Sequence, residues 1–284
     1  LLVLDTFRYD YAMADPFFSD LAKKGIFFER MYSPSTFTNA NMTSLRTGMY
    51  PAQHGWRSWP KNYPISDDIK TLEDYLDEAG YSIANKITMP MVLGETQAFV
   101  EDINLFAGMT KHEPFFLYSQ YLNVHTGVFY GAGVDTSEVR YKSLIHGAGD
   151  FVKLAFQRAE EQQFKRDILW VIMSDHGIGL DNDKLSGEGG DVGAGQIYDF
   201  RIRIYCTIIG PDIEPRILDG AYSHIDLMPT ILDYCGIPMD KPQGISAFDK
   251  DDSDRFIHLE AQSPYSVWPS EMSNVFGVTN GKIK

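Results

Sequence analysis

The stretch Ile168-Leu169-Trp170-Val171-Ile172-Met173, followed at once by Ser174-Asp175-His176-Gly177, constrains the fold more than any other part of the chain. A short, unbroken apolar run with no polar alternation reads as a strand buried on both faces, and such strands belong to parallel sheets covered by helices. Its polar residues come at the C-terminal end, the edge of an open α/β sheet where ligands bind. Leu1-Leu2-Val3-Leu4-Asp5 repeats the pattern at the start of the chain. Pro114-Phe115-Phe116-Leu117-Tyr118 repeats it again, with Asn123-Val124-His125-Thr126 just beyond.

Helical signals alternate with these strands. Asp15-Pro16 opens a helix predicted to run to Lys24 and stop at Gly25, and Thr71 to Ala79 forms a second one closed by Gly80. From Thr136 to Gln163 the spacing predicts a long amphipathic helix with Val139, Leu144, Ala148, Phe151, Val152 and Ala155 inward, although Gly147 and Gly149 interrupt it. Arg203 to Ile209 is a further strand, stopped by Gly210-Pro211. Ser223-His224-Ile225-Asp226 has the form of a capping box before a helix carrying Leu227, Ile231 and Leu232. Phe256 to Leu259 and Val275 to Lys284 are weaker strands in the tail. This alternation predicts one α/β sandwich with a mostly parallel central sheet and helices on both faces.

Thr38 stands at the head of a short helical stretch that Gly48 closes, so it is read as an N-cap. A hydroxyl there lies among converging backbone N–H groups, which makes it either a cap or a nucleophile beside a bound oxyanion. With Asp5, Asp175 and His176 it completes an N/O donor set suited to Zn²⁺ or Mn²⁺; the alternative is that each is a separate cap or turn residue. The Gly- and Asp-rich stretch from Gly177 to Gly195 is read as a mobile loop, a lid or a substrate loop.

A formal charge of −14 argues against nucleic acid as a partner, and no apolar run is long enough to span a membrane. Cys206 and Cys235 sit in apolar surroundings and read as core residues, not a disulfide. The chain begins with Leu1, inside an apolar run, so a signal or anchor removed upstream would make the protein extracytoplasmic. Localisation and oligomeric state stay open.

The joint pattern resembles the sulfatase-like branch of the alkaline-phosphatase superfamily. The resemblance is carried by Leu4-Asp5-Thr6-Phe7-Arg8-Tyr9-Asp10, by the Thr38 segment through Leu45-Arg46-Thr47-Gly48-Met49-Tyr50-Pro51 and His54-Gly55, by Ser174-Asp175-His176-Gly177, and by Asp226-Leu227-Met228-Pro229-Thr230. It implies an alkaline-phosphatase-like sandwich, with residues 1–250 as a catalytic domain and 251–284 as the start of a small, incomplete C-terminal subdomain. It also implies one divalent metal on Asp5, Asp175 and His176, with Thr38 as a metal-touching nucleophile. His125 falls where relatives place a substrate-binding histidine, and His54 and His224 fall at places that look structural.

The departures from that family are informative. In register with Thr47-Gly48, the position of the formylglycine precursor holds Thr38, followed by Ala40, Asn41 and Met42 where Pro, Ser and Arg are expected. Oxidation at the threonine β-carbon would give a ketone, not the aldehyde those sulfatases hydrate. Thr6 replaces a second acid beside Asp5, which disfavours Ca²⁺ or Mg²⁺ against Mn²⁺ or Zn²⁺. The resemblance then narrows to threonine-nucleophile members such as phosphoglycerol and phosphoethanolamine transferases and related phosphodiesterases. The expected activity is hydrolysis or transfer of a phosphate-type ester, small or linked to a glycan or lipid, through a covalent Thr38 intermediate. The alternatives are a sulfatase that works without formylglycine and a non-catalytic anion-binding relative.

Overall fold

In a computed structural model, the described residues are 1–57, 65–85, 113–129, 135–183, 196–249, 255–262 and 274–282. Among them, eight strands form the central sheet: β1 (Leu2–Leu4), β2 (Ile26–Tyr32), β3 (Ser82–Asn85), β4 (Phe115–Tyr121), β5 (Trp170–Ser174), β6 (Arg203–Ile204), β7 (Cys206–Ile209) and β8 (Arg216–Ser223). Their order is β3-β4-β1-β5-β7-β2-β6, with β8 on β2. The pairs β3/β4, β4/β1, β1/β5 and β2/β8 are parallel, whereas β7 runs against both β5 and β2, and β6 runs against β2. All but β6 and β7 therefore point the same way, which brings the ends of β1, β2, β4 and β5 to one edge.

Alternation along β1 divides the core. Leu2 and Leu4 pack with the helices Tyr9–Ala14, Pro16–Leu21, Asn123–Phe129 and Glu138–Gln162. Val3 faces the opposite side, with Thr38–Thr47, Leu72–Glu78 and Leu227–Tyr234. Helices thus cover both faces, as a sheet apolar on both sides requires. Beyond the main sheet, β9 (Ile257–Gln262) and β10 (Asn274–Thr279) form an antiparallel pair, and Ile257 and Leu259 pack on Tyr32, Ile202 and Ala221.

Several local expectations are corrected. Thr38 is the first residue of its helix, not its cap; Phe37 is the extended N-cap residue and makes no side-chain cap bond. Gly48 does end that helix, at φ 64°, a left-handed conformation that suits glycine. The helix opened by Asp15, whose carboxylate accepts from Phe17 and Phe18 N–H, stops at Leu21 and not Lys24. The long helix is continuous through both glycines, but Val139, in its first turn, is 82% exposed and contributes nothing to the core. The clearest strand starts at Trp170 because its partner β7 ends at Ile209, before Gly210-Pro211. Arg203 to Ile209 divides at Tyr205, where the chain passes from pairing with Met31 and Tyr32 to pairing with β5 and the start of β2. Most of the Gly177–Gly195 loop lies outside the described residues.

Candidate active site and metal centre

Each functional side chain stands at or just past a strand end. Asp5 follows β1, Asp175 follows β5, and Thr38 opens the helix reached from β2. His125, read as lying just past a strand, sits in the short helix Asn123–Phe129 directly after β4. Asp5, Asp175 and His176 are buried, and one ligand atom from each lies within 4.8 Å of the others. Thr38 Oγ1 lies inside this group, donating to Asp175 Oδ2 at 2.6 Å, 3.2 Å from His176 Nε2 and 3.5 Å from Asp5 Oδ2. His125 Nδ1 is 3.1 Å from Asp5 Oδ1. The sequence-predicted residues thus converge at one place.

The donor chemistry fits a divalent cation. His176 Nδ1 is 2.7 Å from the Gly177 carbonyl, so it carries the proton and leaves the Nε2 lone pair facing the carboxylates. Burial, and then the nearby Asp5 carboxylate, push the pKa of Asp175 up to about 6. Burial opposes charge on Asp5 too, but His125, His176 and Gln120 hold its pKa below the ordinary carboxylate value. His125 is shifted upward: burial works against its charge, while Asp5 and Asp175 outweigh that effect. Two buried carboxylates side by side, with no lysine or arginine on either among the described residues, is an arrangement that a bound cation neutralises. Buried Thr6 Oγ1, in the next residue along from Asp5, has no hydrogen-bond partner among the described residues.

The supports around these groups come from distant parts of the chain. Asp175 Oδ1 accepts from Thr6 N–H at 2.9 Å and from its neighbour His176 N–H at 2.7 Å. Asn41 donates from Nδ2 to Ser35 O and Asp175 O and accepts from Ser35 N–H, so its one amide ties the helix that begins at Thr38 to the loop at Asp175. Gly177 has no room for a Cβ, which would lie 1.9 Å from Phe200 O. Gln120 Nε2 donates to Asp5 Oδ2 at 2.8 Å, while its carbonyl accepts from Tyr118 O–H at 3.0 Å. Sequence reading missed Gln120, and the signal available was one amide inside the otherwise largely apolar run Phe115–Tyr121.

The remaining polar residues serve the frame around the cluster. Arg8 pairs with Asp10 and also with Asp183, each at 2.6 Å. His54 is buried against Ser44 Oγ at 3.0 Å, and His224 is fully buried. Both cysteines are free, Cys206 buried and Cys235 partly so.

Known proteins match the chain along its whole length. The family described as Sulfatase matches residues 89–237, more than half of the chain. The chain belongs to the sulfatase family. Residues 1–90 of this sulfatase-family chain match the family described as type I phosphodiesterase / nucleotide pyrophosphatase, so Asp5 and Thr38 fall in one match and His125, Asp175 and His176 in the other. An arylsulfatase of Hemicentrotus pulcherrimus is 25% identical over 210 residues, covering 67% of this chain and 38% of the relative, so the chain spans well under half of that protein's length. The fold is shared with a solved 2-O GAG sulfatase, at a TM-score of 0.75 and 15% identity over 98% of this chain and 80% of that one. A phosphonate monoester hydrolase from Silicibacter pomeroyi gives 0.71 and 14% over 99% and 88%. An alkaline phosphatase superfamily protein from Vibrio parahaemolyticus gives 0.64 and 16% over 100% and 76%. These likenesses show that the sulfatase-family chain shares its mixed α/β fold with them.

Proposed function

We propose that this sulfatase-family chain hydrolyses or transfers phosphate-type esters through a covalent intermediate on Thr38. The observation that carries the reading is the Thr38 hydroxyl, seated inside the Asp5, Asp175 and His176 cluster and donating to Asp175 at 2.6 Å. Asp5, Asp175 and His176 would hold one divalent ion, Mn²⁺ or Zn²⁺, with Thr38 beside it. Such an ion supplies Lewis acidity, lowering the pKa of a nearby hydroxyl and neutralising an anionic substrate oxygen.

The chain's own groups supply the rest. Thr38 Oγ1 passes its proton toward Asp175 Oδ2 and forms a bond to phosphorus as the bond to the leaving oxygen breaks. His125, held by Asp5 and shifted toward its protonated form, gives a proton to that leaving oxygen. The first N–H groups of the helix beginning at Thr38 have no partner within the helix and face the anionic oxygens of the transferred group. Water or an acceptor alcohol then releases the group from Thr38. The substrate is an anionic ester, small or linked to a glycan or lipid.

A sulfate ester is the second reading. It is favoured by the sulfatase match over residues 89–237 and by the arylsulfatase relative, and it would proceed without formylglycine because Thr38 cannot yield the aldehyde.

A panel of an aryl phosphodiester, an aryl phosphonate monoester and an aryl sulfate, run with Mn²⁺ or Zn²⁺ and again after chelation, tests both. The expected result is metal-dependent turnover of the phosphorus esters and a mass increment on Thr38 in quenched samples. Thr38→Ala should lower turnover at least about a thousandfold, the scale of losing a group that stabilises the transition state. Full turnover by Thr38→Ala would sink the proposal, and sulfate release without phosphorus-ester turnover would replace it with the second reading.

A further inference from the structure

The turn Asp5-Thr6-Phe7-Arg8 carries a conformation its sequence does not favour. Thr6 has φ 56°, in the left-handed region, where a β-branched residue is a true outlier. Such strain persists only where surrounding contacts over-determine it. In that conformation Thr6 N–H points at Asp175 Oδ1, 2.9 Å away, while Asp5, one residue earlier, faces the same cluster. The two carboxylates are therefore placed relative to each other by one strained residue.

Contacts from β4 and β5 hold the flanks of the turn: Asp5 N–H donates to Tyr121 O at 3.1 Å and Phe7 N–H to Ser174 Oγ at 3.2 Å. The strained peptide itself is held from the long helix. Tyr141 O–H donates to Thr6 O at 2.6 Å and accepts from Arg8 N–H at 2.9 Å. Tyr141 is fully buried, and its ring meets that of Tyr11 edge-on at 5.0 Å. A single phenol thus bridges the carbonyl and the amide on either side of Phe7 and blocks the turn from relaxing.

We propose that Tyr141 is a positioning residue that clamps Thr6 in its left-handed conformation and so sets the spacing of Asp5 and Asp175 for metal binding. The inference rests on the reading that Asp5 and Asp175 hold a metal, but the clamp itself is a property of the metal-free protein. It also yields a specific rescue. Glycine occupies the left-handed region without steric cost, so a chain with Gly at position 6 needs the clamp less.

The test uses the full chain, stripped of metal, as wild type, Tyr141→Phe, Thr6→Gly and the double variant. Zn²⁺ is titrated calorimetrically into each, and amide exchange of residues 6 to 8 is followed in the metal-free protein. Tyr141→Phe should weaken Zn²⁺ roughly ten- to hundred-fold, the usual effect of removing a support behind a metal ligand. It should also speed exchange at the turn with the circular dichroism spectrum unchanged. In the double variant the penalty of Tyr141→Phe, measured against Thr6→Gly alone, should shrink to within about threefold. An unchanged exchange rate and affinity in Tyr141→Phe, or an equal penalty in both backgrounds, would overturn the clamp. If wild type binds no Zn²⁺, the metal reading fails, and exchange at the turn still decides the clamp. Should Tyr141→Phe alone not fold, recovery of folding on adding Thr6→Gly supports the proposal, and failure to recover refutes it.

Discussion

Two fully buried aspartates sit on the same side of this molecule's chemistry but not in the same role. Asp226 accepts from Ser223 N–H at 2.7 Å and from Ile245 N–H at 2.8 Å, and the Arg255 guanidinium neutralises it. Asp175 also accepts backbone N–H groups, but its nearest charged neighbours are His176 and a second carboxylate, Asp5. Burial raises the pKa of both, and only for Asp226 does an arginine oppose it. A buried acid supplied with its own cation is part of the frame. A buried acid beside another acid is a place for a cation from outside.

The largest effect that would sharpen this contrast is on activity. Asp175→Asn should lower turnover at least about a thousandfold and abolish calorimetric metal binding. The metal-free protein should melt no lower than wild type, because a like-charge contact is gone. If Asp175→Asn loses stability but keeps its metal, the contrast is broken. Arg255→Ala should do the reverse. It leaves Asp226 buried without its partner and should cost about 3–5 kcal/mol in chemical denaturation, while the folded fraction keeps its metal affinity.

Gln120→Leu removes the amide that holds Asp5 Oδ2 and should weaken metal binding by about ten- to hundred-fold, and it should cost about 1–3 kcal/mol in stability because the buried Tyr118 O–H loses its acceptor. The smallest effect concerns pH. Burial lowers the pKa of His54 to about 4 and of His224 to about 3, so both stay neutral in the fold while the unfolded chain takes up protons below about pH 6.5. The stability of neutral His54 is therefore present above pH 6.5 and lost as pH falls toward 4, by up to about 2 kcal/mol between pH 7 and 5. Asp175 and Asp226 act in the opposite sense, since their raised pKa values favour the fold as protons bind. The histidine contribution is thus read as the difference in pH dependence between wild type and His54→Gln, and identical profiles would remove His54 from the account.

Much of this was legible in the sequence, because strand ends deliver side chains to a known edge. Asp5, Asp175 and His176 each follow an apolar run, and their convergence follows once those runs are taken as neighbouring parallel strands. Thr38 was found through the helix it opens, even though Phe37 and not Thr38 occupies the cap position. Gln120 and Tyr141 were not legible, since each acts on a residue more than a hundred positions away. Local periodicity carries no record of such pairings. The left-handed Thr6 was equally hidden, because a β-branched residue signals extended chain and only tertiary contacts reverse that preference. Val139 failed for a simpler reason: it fits the helical spacing, but it lies in the first turn, beyond the reach of the core.

The Asn41 amide has a consequence for how such a chain can diverge. By joining Ser35 to Asp175 it makes the helix that begins at Thr38 and the loop at Asp175 one rigid piece. Substitutions that reshape the surrounding walls need not disturb that piece, so such a chain can change its surroundings while Thr38 and Asp175 keep their spacing. Loss of Asn41 would end that freedom first, because every later change in the walls would also shift Thr38 against Asp175.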